Sequence, residues 1–299
     1  QDADEEFYRL PAAEREKRQQ PYVDRICYTG WNAMAASAYL EASWTLGRPE
    51  LRERAVKALA FVWDRCREPH KGMYHFNDGT PQVPGLLADQ AYTARALLDA
   101  YEVVADPLYL KRAQELAAFV AERFVDEEDG GFFDVWDEQE RLGRLEERQK
   151  SIQENAVCAE VFVRLQVLTR KKFYQKVSQA ALEAFASNYQ VWGYQAASYG
   201  KVVDMFQSGL AQVYVVGDPG AKATCDLQLA ALAVDVPAIA VQVFDPKRDG
   251  NRLDALMLPK EFASVAYVYV GAVCSAPLAN PEAIEETVRD MQSFAQALS

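Results

Sequence analysis

Two kinds of helix alternate along the first two thirds of the chain. One kind is amphipathic, with apolar side chains every three or four residues, as at Leu51, Ala55, Leu59 and Val62. That spacing is typical of one face of a helix. The other kind is rich in alanine and aromatic residues and carries few charges, which is typical of a helix buried on most sides. The alternation predicts an inner layer of alanine-rich helices inside an outer layer of amphipathic ones.

The alternation occurs three times at a spacing of roughly sixty residues, beginning at Trp31, Asp89 and Asn155. A repeat of this length indicates stacked helical hairpins that bury a shared core. Asp106 precedes Pro107, and we expect its carboxylate to cap the helix that follows. The pattern predicts helices at 31–46, 50–67, 88–104, 107–124, 154–168, 171–190 and 194–208.

The pattern changes after Gly209. The segments AQVYVVGDP, AIAVQVF and SVAYVYVG predict strands. Helices are predicted at 220–233 and from Pro281 onward, with Asn280 as the cap of the second helix and Pro281 at its first position. The segment RLDALML is ambiguous. The turn from Gly217 to Gly220 lacks a phosphate-binding motif, so we interpret it as an ordinary turn. The fold class is therefore mainly α: helical hairpins of an (α/α) toroid over 1–209, a partial six-hairpin barrel, followed by a small α/β domain over 210–299.

The connections between hairpins are long, at 68–87 and 125–153, and both contain short aromatic stretches, GMYHF and GGFFDVWD. Alternation of this kind is compatible with β-hairpins. Long loops at one end of a helical toroid commonly carry function. We therefore expect a functional rim where these loops meet the inner helices.

The charge and the hydropathy of the chain bear on whether it binds nucleic acid or crosses a membrane. The chain has 44 acidic and 32 basic residues and a formal net charge of −12, which argues against nucleic acid as a partner. No apolar run approaches the roughly 20 residues that span a bilayer. The segment after Gln1 is polar and lacks the apolar core of a signal peptide, although a signal removed before Gln1 stays open.

The five cysteines are odd in number, far apart and without a CxxC pair. This pattern favours reduced thiols and a cytoplasmic protein over a disulfide framework. The two histidines, His70 and His75, have no cysteines at zinc-ligand spacing, so no metal is expected. The sequence has no Rossmann, P-loop, Gly-x-Ser-x-Gly or HExxH motif, so no cofactor is expected.

Each inner helix begins with polar side chains: Asn32, the pair Asp89 and Gln90, and Asn155 after Glu154. Two interpretations stay open at this point. These side chains cap helix termini, or they line a pocket for a polar ligand such as a sugar.

Asp89 is the strongest catalytic candidate, and the second carboxylate that glycoside hydrolysis requires is Asp24, Glu154, Asp134 or Asp204, with Asp24 and Glu154 preferred. His70 and His75 suit acid–base work in sugar epimerisation, or are plain loop residues. Tyr92 follows Asp89 on the same helix face. Trp31 either stacks on a sugar ring or packs in the core.

Five motifs in order resemble one family. RQQPYVDRICYTGWNAM, PGLLADQAY, DEEDGGFFD, ENAVCAEVFVRL and AYVYVGAVCSAPLANPEAI are similar to segments of the thioredoxin-domain-containing DUF255 proteins, also called the YyaL or spermatogenesis-associated protein 20 family. The likeness runs from about residue 14 to the end of the chain and covers the family's C-terminal half. It departs from the family at Tyr269, where a cysteine is usual, and at residues 152–154.

The resemblance implies a six-hairpin (α/α) toroid related to N-acylglucosamine 2-epimerases and to glycosidases of that fold. The family's thioredoxin-like domain and first toroid helices have no counterpart in this sequence. Two functions follow as hypotheses. The first is an epimerase- or glycosidase-like protein that acts on a sugar through rim carboxylates. The second is a non-catalytic binding or assembly subunit whose open toroid edge is covered by a protein partner or a second copy.

Overall fold

Three helical hairpins stand side by side, with one helix of each on the inside. The computed structural model describes residues 5–136, 147–260 and 263–298. The inner helices are α3 (Thr29–Thr45), α5 (Leu87–Val104) and α7 (Ile152–Thr169). Their outer partners are α4 (Pro49–Arg65), α6 (Pro107–Arg123) and α8 (Lys172–Glu183). Two short helices precede them, α1 (Glu5–Arg9) and α2 (Ala12–Arg15), and α9 (Ala197–Ser208) follows them.

The inner helices contact one another in the order α3, α5, α7, α9. Helices α5 and α7 each lie between two neighbours and are buried on most sides, as their alanine-rich sequences predict. Helix α3 has an inner-helix neighbour on one side, and its other face is exposed at Trp31, Tyr39 and Leu46. The two layers predicted from the sequence are confirmed, and α3 marks the edge of the stack.

Helix boundaries follow local chemistry. Asp106 Oδ1 accepts the Leu108 N–H at 2.9 Å, so the predicted cap is confirmed. The helix predicted over 171–190 ends earlier, at Glu183, and a 3-10 segment occupies Tyr189–Ala196. Gly193 within that segment has φ 54, a conformation that does not continue a right-handed helix. This is why the next helix begins at Ala197 rather than 194.

The connection after α4 forms a small antiparallel sheet. Strand β3 (Gly72–Asn77) pairs with β1 (Cys27–Tyr28), β2 (Arg67–Glu68) and β4 (Pro81–Pro84). Tyr28 lies opposite Phe76, and Tyr74 opposite Pro84. The hairpin predicted at GMYHF is therefore confirmed.

The second long connection differs from the predicted hairpin. Over its described part, up to Trp136, GGFFDVWD makes the isolated bridges Val125–Phe132 and Leu86–Val135 and no strand. Asn155 binds both the N–H and the C=O of Phe132, so a helix side chain takes the place of a partner strand. The last residue of the stretch, Asp137, lies outside the described residues.

The C-terminal part is a four-stranded sheet in the order β6-β5-β7-β8. Strand β5 (Ala211–Val216) is parallel to β6 (Ile239–Phe244) and antiparallel to β7 (Val265–Val270), which pairs with β8 (Val273–Cys274). The helices are α10 (Lys222–Leu232), α11 (Gly250–Leu256) and α12 (Ala283–Leu298). Asp218 Oδ1 accepts the Gly220 N–H, as in an ordinary turn. Asn280 Oδ1 accepts the Glu282 N–H at 3.2 Å, and the helix begins at Ala283, two residues later than predicted.

Side chains of the α/β part bind the C-terminal ends of the inner helices. Gln228 Nε2 donates to the Glu102 carbonyl at 2.6 Å, and Arg252 Nη2 donates to the Leu168 carbonyl at 3.1 Å. Carbonyls in the last turn of a helix have no partner within the helix, so these donors satisfy groups that burial would otherwise penalise. The division into domains at residue 209 stays a prediction.

Two general features complete the fold. None of the helices in the described ranges has the length and apolarity that a membrane crossing requires. All five cysteines are free thiols, buried at Cys66 and Cys158 and exposed at Cys274.

The cap of α6 provides a test of the helix boundaries. We expect Asp106→Ala to lower the free energy of unfolding by about 1 kcal/mol, because the Leu108 N–H loses its acceptor. Urea unfolding followed by circular dichroism measures this change. Asp64→Ala, at an exposed position of α4, is the control; an equal loss in both variants would contradict the capping role.

Candidate functional site

Asp89 and His75 form a hydrogen-bonded pair at the N-terminal end of the inner helices. Asp89 lies in the first turn of α5 and is 1% exposed. Its Oδ2 lies 3.0 Å from His75 Nδ1, and its Oδ1 accepts the Gly30 N–H at 3.0 Å. A Cβ at Gly30 would lie 3.2 Å from that oxygen, so glycine allows the close approach of α3. One carboxylate thus holds both the histidine and the neighbouring helix.

The two partners shift each other's protonation. Burial raises the pKa of Asp89 above its ordinary value, and the hydrogen bonds from His75 and Gly30 oppose that shift. The hydrogen bond with Asp89 raises the pKa of His75, with burial in opposition. His75 is partly exposed, and across the described ranges no hydrogen bond to its Nε2 is seen. Because Asp89 fixes Nδ1, Nε2 is the nitrogen that can exchange a proton with a bound molecule.

An aromatic wall lies beside the imidazole. The Tyr28 ring meets His75 edge-on, with centroids 5.6 Å apart, and lies 4.7 Å from the Trp31 ring. Trp31 is 66% exposed, so it is not a core residue. Exposed aromatic faces next to polar groups are suited to stacking on a sugar ring.

Glu154 is a second ionisable group at the same end, in the first turn of α7. Its Oε2 is buried and has no hydrogen-bond partner in the part of the chain that the structure describes. Burial, with Asp134 and Asp89 nearby, raises the pKa of Glu154 to about 7. Tyr92 lies near Glu154, and the Arg95 guanidinium is 5.1 Å from the Tyr92 ring centroid. A carboxyl group that titrates near neutrality is suited to general acid or base catalysis.

Gln90 and Asn155 play the same structural part on successive helices. Gln90 accepts the Met73 N–H at 2.7 Å and donates to the Met73 carbonyl at 2.8 Å. Asn155 accepts the Phe132 N–H at 2.7 Å and donates to the Phe132 carbonyl at 2.9 Å. The oxygen and nitrogen of each amide are thus bound to backbone. These bonds fix the loops that carry His75 and Asp134 against the inner helices.

The remaining predicted residues lie apart from this pair. Asp24 is exposed and accepts the Ile26 N–H at 2.9 Å. His70 is exposed in the turn between β2 and β3, near Glu68. Asn32 donates to the Tyr28 carbonyl at 2.8 Å. The structure therefore brings together Asp89, His75, Glu154, Tyr92 and Trp31, and within the described ranges no contact joins Asp24 or His70 to them.

Two contributors were not predicted, Gly30 and Tyr28. Both lie in the CYTGWN segment that contains Trp31 and Asn32, so the motif itself was the available signal. Their roles depend on the contact of α3 with α5 and on the pairing of β1 with β3. Neither contact is visible in a local pattern.

The family model for N-acylglucosamine 2-epimerase (GlcNAc 2-epimerase) matches residues 5–154. The chain belongs to this family. The matched range includes the pair of His75 and Asp89, the Gly30 N–H that binds Asp89, and the neighbouring carboxyl group of Glu154.

Curated relatives match most of the chain. Spermatogenesis-associated protein 20 of Rattus norvegicus is 26% identical over 290 residues, covering 89% of this chain and 36% of the relative. The human protein of that name gives the same identity and shares. The chain thus spans about a third of the length of these relatives, and the family resemblance of its motifs is confirmed.

A solved structure supports the fold. A glycoside hydrolase family 76 α-mannanase of Bacteroides thetaiotaomicron is 17% identical, with a TM-score of 0.53 over 73% of this chain and 59% of that one. A likeness at this identity concerns the fold alone. The predicted (α/α)-toroid class with a small sheet region is confirmed, and the family match makes the chain a carbohydrate-related protein of this fold.

The raised pKa of Glu154 predicts a pH-dependent stability. The folded state holds the Glu154 proton up to about pH 7, whereas the ordinary pKa of a glutamate is 4.5. Stability from this group is therefore present at low pH and is lost as pH rises through about 7. As the pH rises from 5 to 8, the unmodified chain should lose about 2 kcal/mol of unfolding free energy through ionisation of Glu154. The variant Glu154→Gln cannot ionise at this position, so we expect it to be free of that loss.

Urea unfolding at the two pH values measures this change. Glu53→Gln, at an exposed position of α4, should show no relative gain. Equal pH dependence in Glu154→Gln and the unmodified chain would mean that Glu154 ionises normally in the fold.

Proposed function

We propose that the chain is a sugar-acting enzyme of the epimerase type, with His75 and Glu154 as the proton-transferring groups and Asp89 as the residue that positions His75. The observation that carries the proposal is the 3.0 Å contact between His75 Nδ1 and Asp89 Oδ2. It fixes the imidazole through Nδ1 beside Tyr28, whose ring contacts the exposed Trp31. Membership of the family supports a carbohydrate as the substrate.

The separate roles of His75 and Glu154 follow from their protonation states and their free atoms. Epimerisation next to a carbonyl removes a proton from one face of a carbon and returns one to the other face. His75, once neutral, accepts a proton at Nε2, and Glu154, protonated up to about pH 7, supplies one. General acid–base catalysis of this kind works best when the pKa values lie near the working pH.

Glycoside hydrolysis is less well supported by the same atoms. It needs two carboxyl groups that reach the substrate. Both oxygens of Asp89 are engaged, by Gly30 and His75, so Asp89 acts through His75 in this proposal. Asp89, the catalytic candidate predicted from the sequence, is therefore assigned a positioning role in this proposal.

Exchange of sugar protons with solvent tests the proposal. Reducing hexoses, N-acylhexosamines and β-linked disaccharides are incubated with the protein in D2O, and NMR follows deuterium at the carbon next to the carbonyl. We expect His75→Gln to lower the exchange rate at least about a hundredfold, because the base is lost. His70→Gln is the matched control, since His70 is an exposed histidine of the same loop, and should keep the rate.

The positioning role of Asp89 has its own readout. Without the carboxylate the pKa of His75 falls toward its ordinary value, so Asp89→Asn should shift the acidic limb of the pH–rate profile to lower pH. An unshifted limb would remove Asp89 from this role. Release of reducing ends from glycosides without deuterium exchange would replace epimerisation with hydrolysis.

A second candidate function, a non-catalytic assembly subunit, is favoured by the exposed face of α3. Trp31 and Leu46 are more than half exposed there, although α5 and α7 each lie between two inner helices. In this proposal another chain supplies the helices that cover the edge together with a thioredoxin-like domain, or a second copy covers the edge. The free cysteines support a cytoplasmic setting for either function.

Light scattering at several protein concentrations tests the assembly proposal. We expect a dimer that Tyr39→Glu dissociates, because the charge would be buried against the partner. Tyr8→Glu, also at an exposed tyrosine, should leave the dimer intact. A monomer at all concentrations, with no partner retained from the native host, would contradict this function.

A further inference from the structure

Four cations lie close together where α7 ends and α8 begins. They are Arg170, Lys171, Lys172 and Lys176, all of them exposed, and they form the basic turn. Lys172 and Lys176 are four residues apart on α8, so they share a helix face. Arg170 follows Glu154 by sixteen residues, which corresponds to about 24 Å along a helix. The basic turn is therefore at the opposite end of α7 from the candidate sugar site.

The charges of the basic turn are not compensated by carboxylates. Among the described residues none of its four cations is in an ion pair, and Arg170 Nη2 donates only to the neutral hydroxyl of Tyr214, at 3.5 Å. Other lysines of the chain do have such partners: a carboxylate oxygen lies within 3.3 Å of Lys201, Lys222 and Lys260. The basic turn is thus a local positive excess in a chain whose formal net charge is −12.

Helix α8 adds to this excess. The N-terminal end of a helix dipole is positive, and acidic side chains are favourable there whereas cations are not. The first turn of α8 nevertheless contains no acidic residue, and the side chain of its N-cap residue, Lys171, makes no capping hydrogen bond. An anionic group from a partner would relieve this repulsion.

An apolar groove of about 480 Å³ adjoins the basic turn, with Arg170 in its wall. The rest of its lining comes from α7, from the end of α11 and from the C-terminal sheet: Gln166, Val167, Gln212, Leu256, Met257, Tyr269, Gly271 and Ala272. Within the described ranges this lining includes no acidic side chain. Met257 is 91% exposed, and Phe173, which follows Lys172, is 52% exposed. Exposed apolar side chains therefore stand directly beside the cations.

The polar side chains of the groove present hydrogen-bond donors. The Tyr214 hydroxyl donates to Gln212 Oε1, which leaves Gln212 Nε2 without an acceptor in the part of the chain that the structure describes. Arg170 contributes the donors of its guanidinium. An ionised carboxylate only accepts hydrogen bonds, so it complements a wall of this kind.

We propose that the basic turn and the adjoining groove are a docking surface for an acidic segment of a partner protein. Carboxylates of the segment bind the cations of the basic turn, and one apolar side chain of the segment enters the groove beside Met257. Complementary charge of this kind directs the encounter and sets specificity, and the buried apolar side chain supplies affinity. The docking surface is independent of the candidate sugar site.

A short acidic segment fits better than a larger polyanion. Exposed charges interact over about 8 Å at physiological ionic strength. A nucleic acid or an anionic bilayer extends well beyond the four cations and would meet the acidic remainder of the surface, where it would be repelled. A peptide segment contacts the basic turn alone and also uses the groove, for which a phosphate backbone has no apolar group.

Fluorescence anisotropy with two matched peptides tests the proposal on the whole chain. The acidic probe is fluorescein-labelled Gly-Glu-Asp-Leu-Phe-Glu-Asp-Gly, and the neutral probe is Gly-Gln-Asn-Leu-Phe-Gln-Asn-Gly. We expect the acidic probe to bind at least about tenfold more tightly, and its affinity to fall about tenfold between about 50 mM and about 500 mM NaCl. Equal binding of both probes, or no binding of the acidic probe at about millimolar protein, would overturn the proposal.

Charge reversal locates the binding surface. The double variant Lys171→Glu, Lys172→Glu should weaken binding of the acidic probe at least about tenfold. Its fold is expected to hold, because acidic residues are favourable at a helix N-terminus, and circular dichroism checks this. The control is Lys17→Glu, Lys57→Glu, at two exposed lysines elsewhere, which changes the net charge equally and should keep the affinity. An equal loss in both double variants would show that only the overall charge acts, which overturns the proposal.

Two further measurements separate the groove from the charges and the peptide from other polyanions. Met257→Ser keeps every charge and should weaken binding of the acidic probe several-fold through loss of apolar contact; unaltered affinity would overturn the docking in the groove. Single-stranded DNA and vesicles that contain phosphatidylserine should bind more weakly than the acidic probe. Tighter binding of either one, lost in Lys171→Glu, Lys172→Glu, would replace the protein partner with a nucleic acid or a membrane.

Discussion

The fold depends on side chains in the first turns of the inner helices that bind the backbone of a preceding element. Asp89 accepts the Gly30 N–H. Gln90 binds both the N–H and the C=O of Met73, and Asn155 does the same with Phe132. These atoms are buried, so removing one partner would leave an unsatisfied polar group at a cost of about 1–3 kcal/mol. Each bond fastens a loop or a neighbouring helix to the next hairpin, and together they determine the shape of the rim.

The same constraint creates the candidate chemistry. Asp89 is buried because it holds α3, and burial raises its pKa, while its second oxygen orients His75. Among the described residues, Glu154 Oε2 binds no neighbouring helix or histidine, and the pKa of this buried carboxyl group is about 7. Neighbouring carboxyl groups thus differ in role because one is occupied by the fold and the other is not.

The two ends of the inner helices are chemically different. Their N-terminal ends carry the pair of Asp89 and His75, whereas their C-terminal ends receive donors from Gln228 and Arg252 of the α/β part. Between them, Arg164 and its three carboxylates form a buried ionic network beside a cavity. An ionic network of this kind is weak evidence for stability, since desolvation offsets the attraction.

Sequence patterns alone predicted the helical hairpins, the cap at Asp106, the GMYHF hairpin and the positions of Asp89 and Glu154 in the first turns of inner helices. These features depend on neighbours a few residues apart, where helical and strand periodicity apply. Only the tertiary structure decided that Asp89 binds Gly30 across 59 residues, that Gln90 and Asn155 are engaged by backbone, and that Asp24 and His70 lie elsewhere. The physical reason is that such pairings depend on how the hairpins stack, and stacking brings together atoms that no local pattern relates.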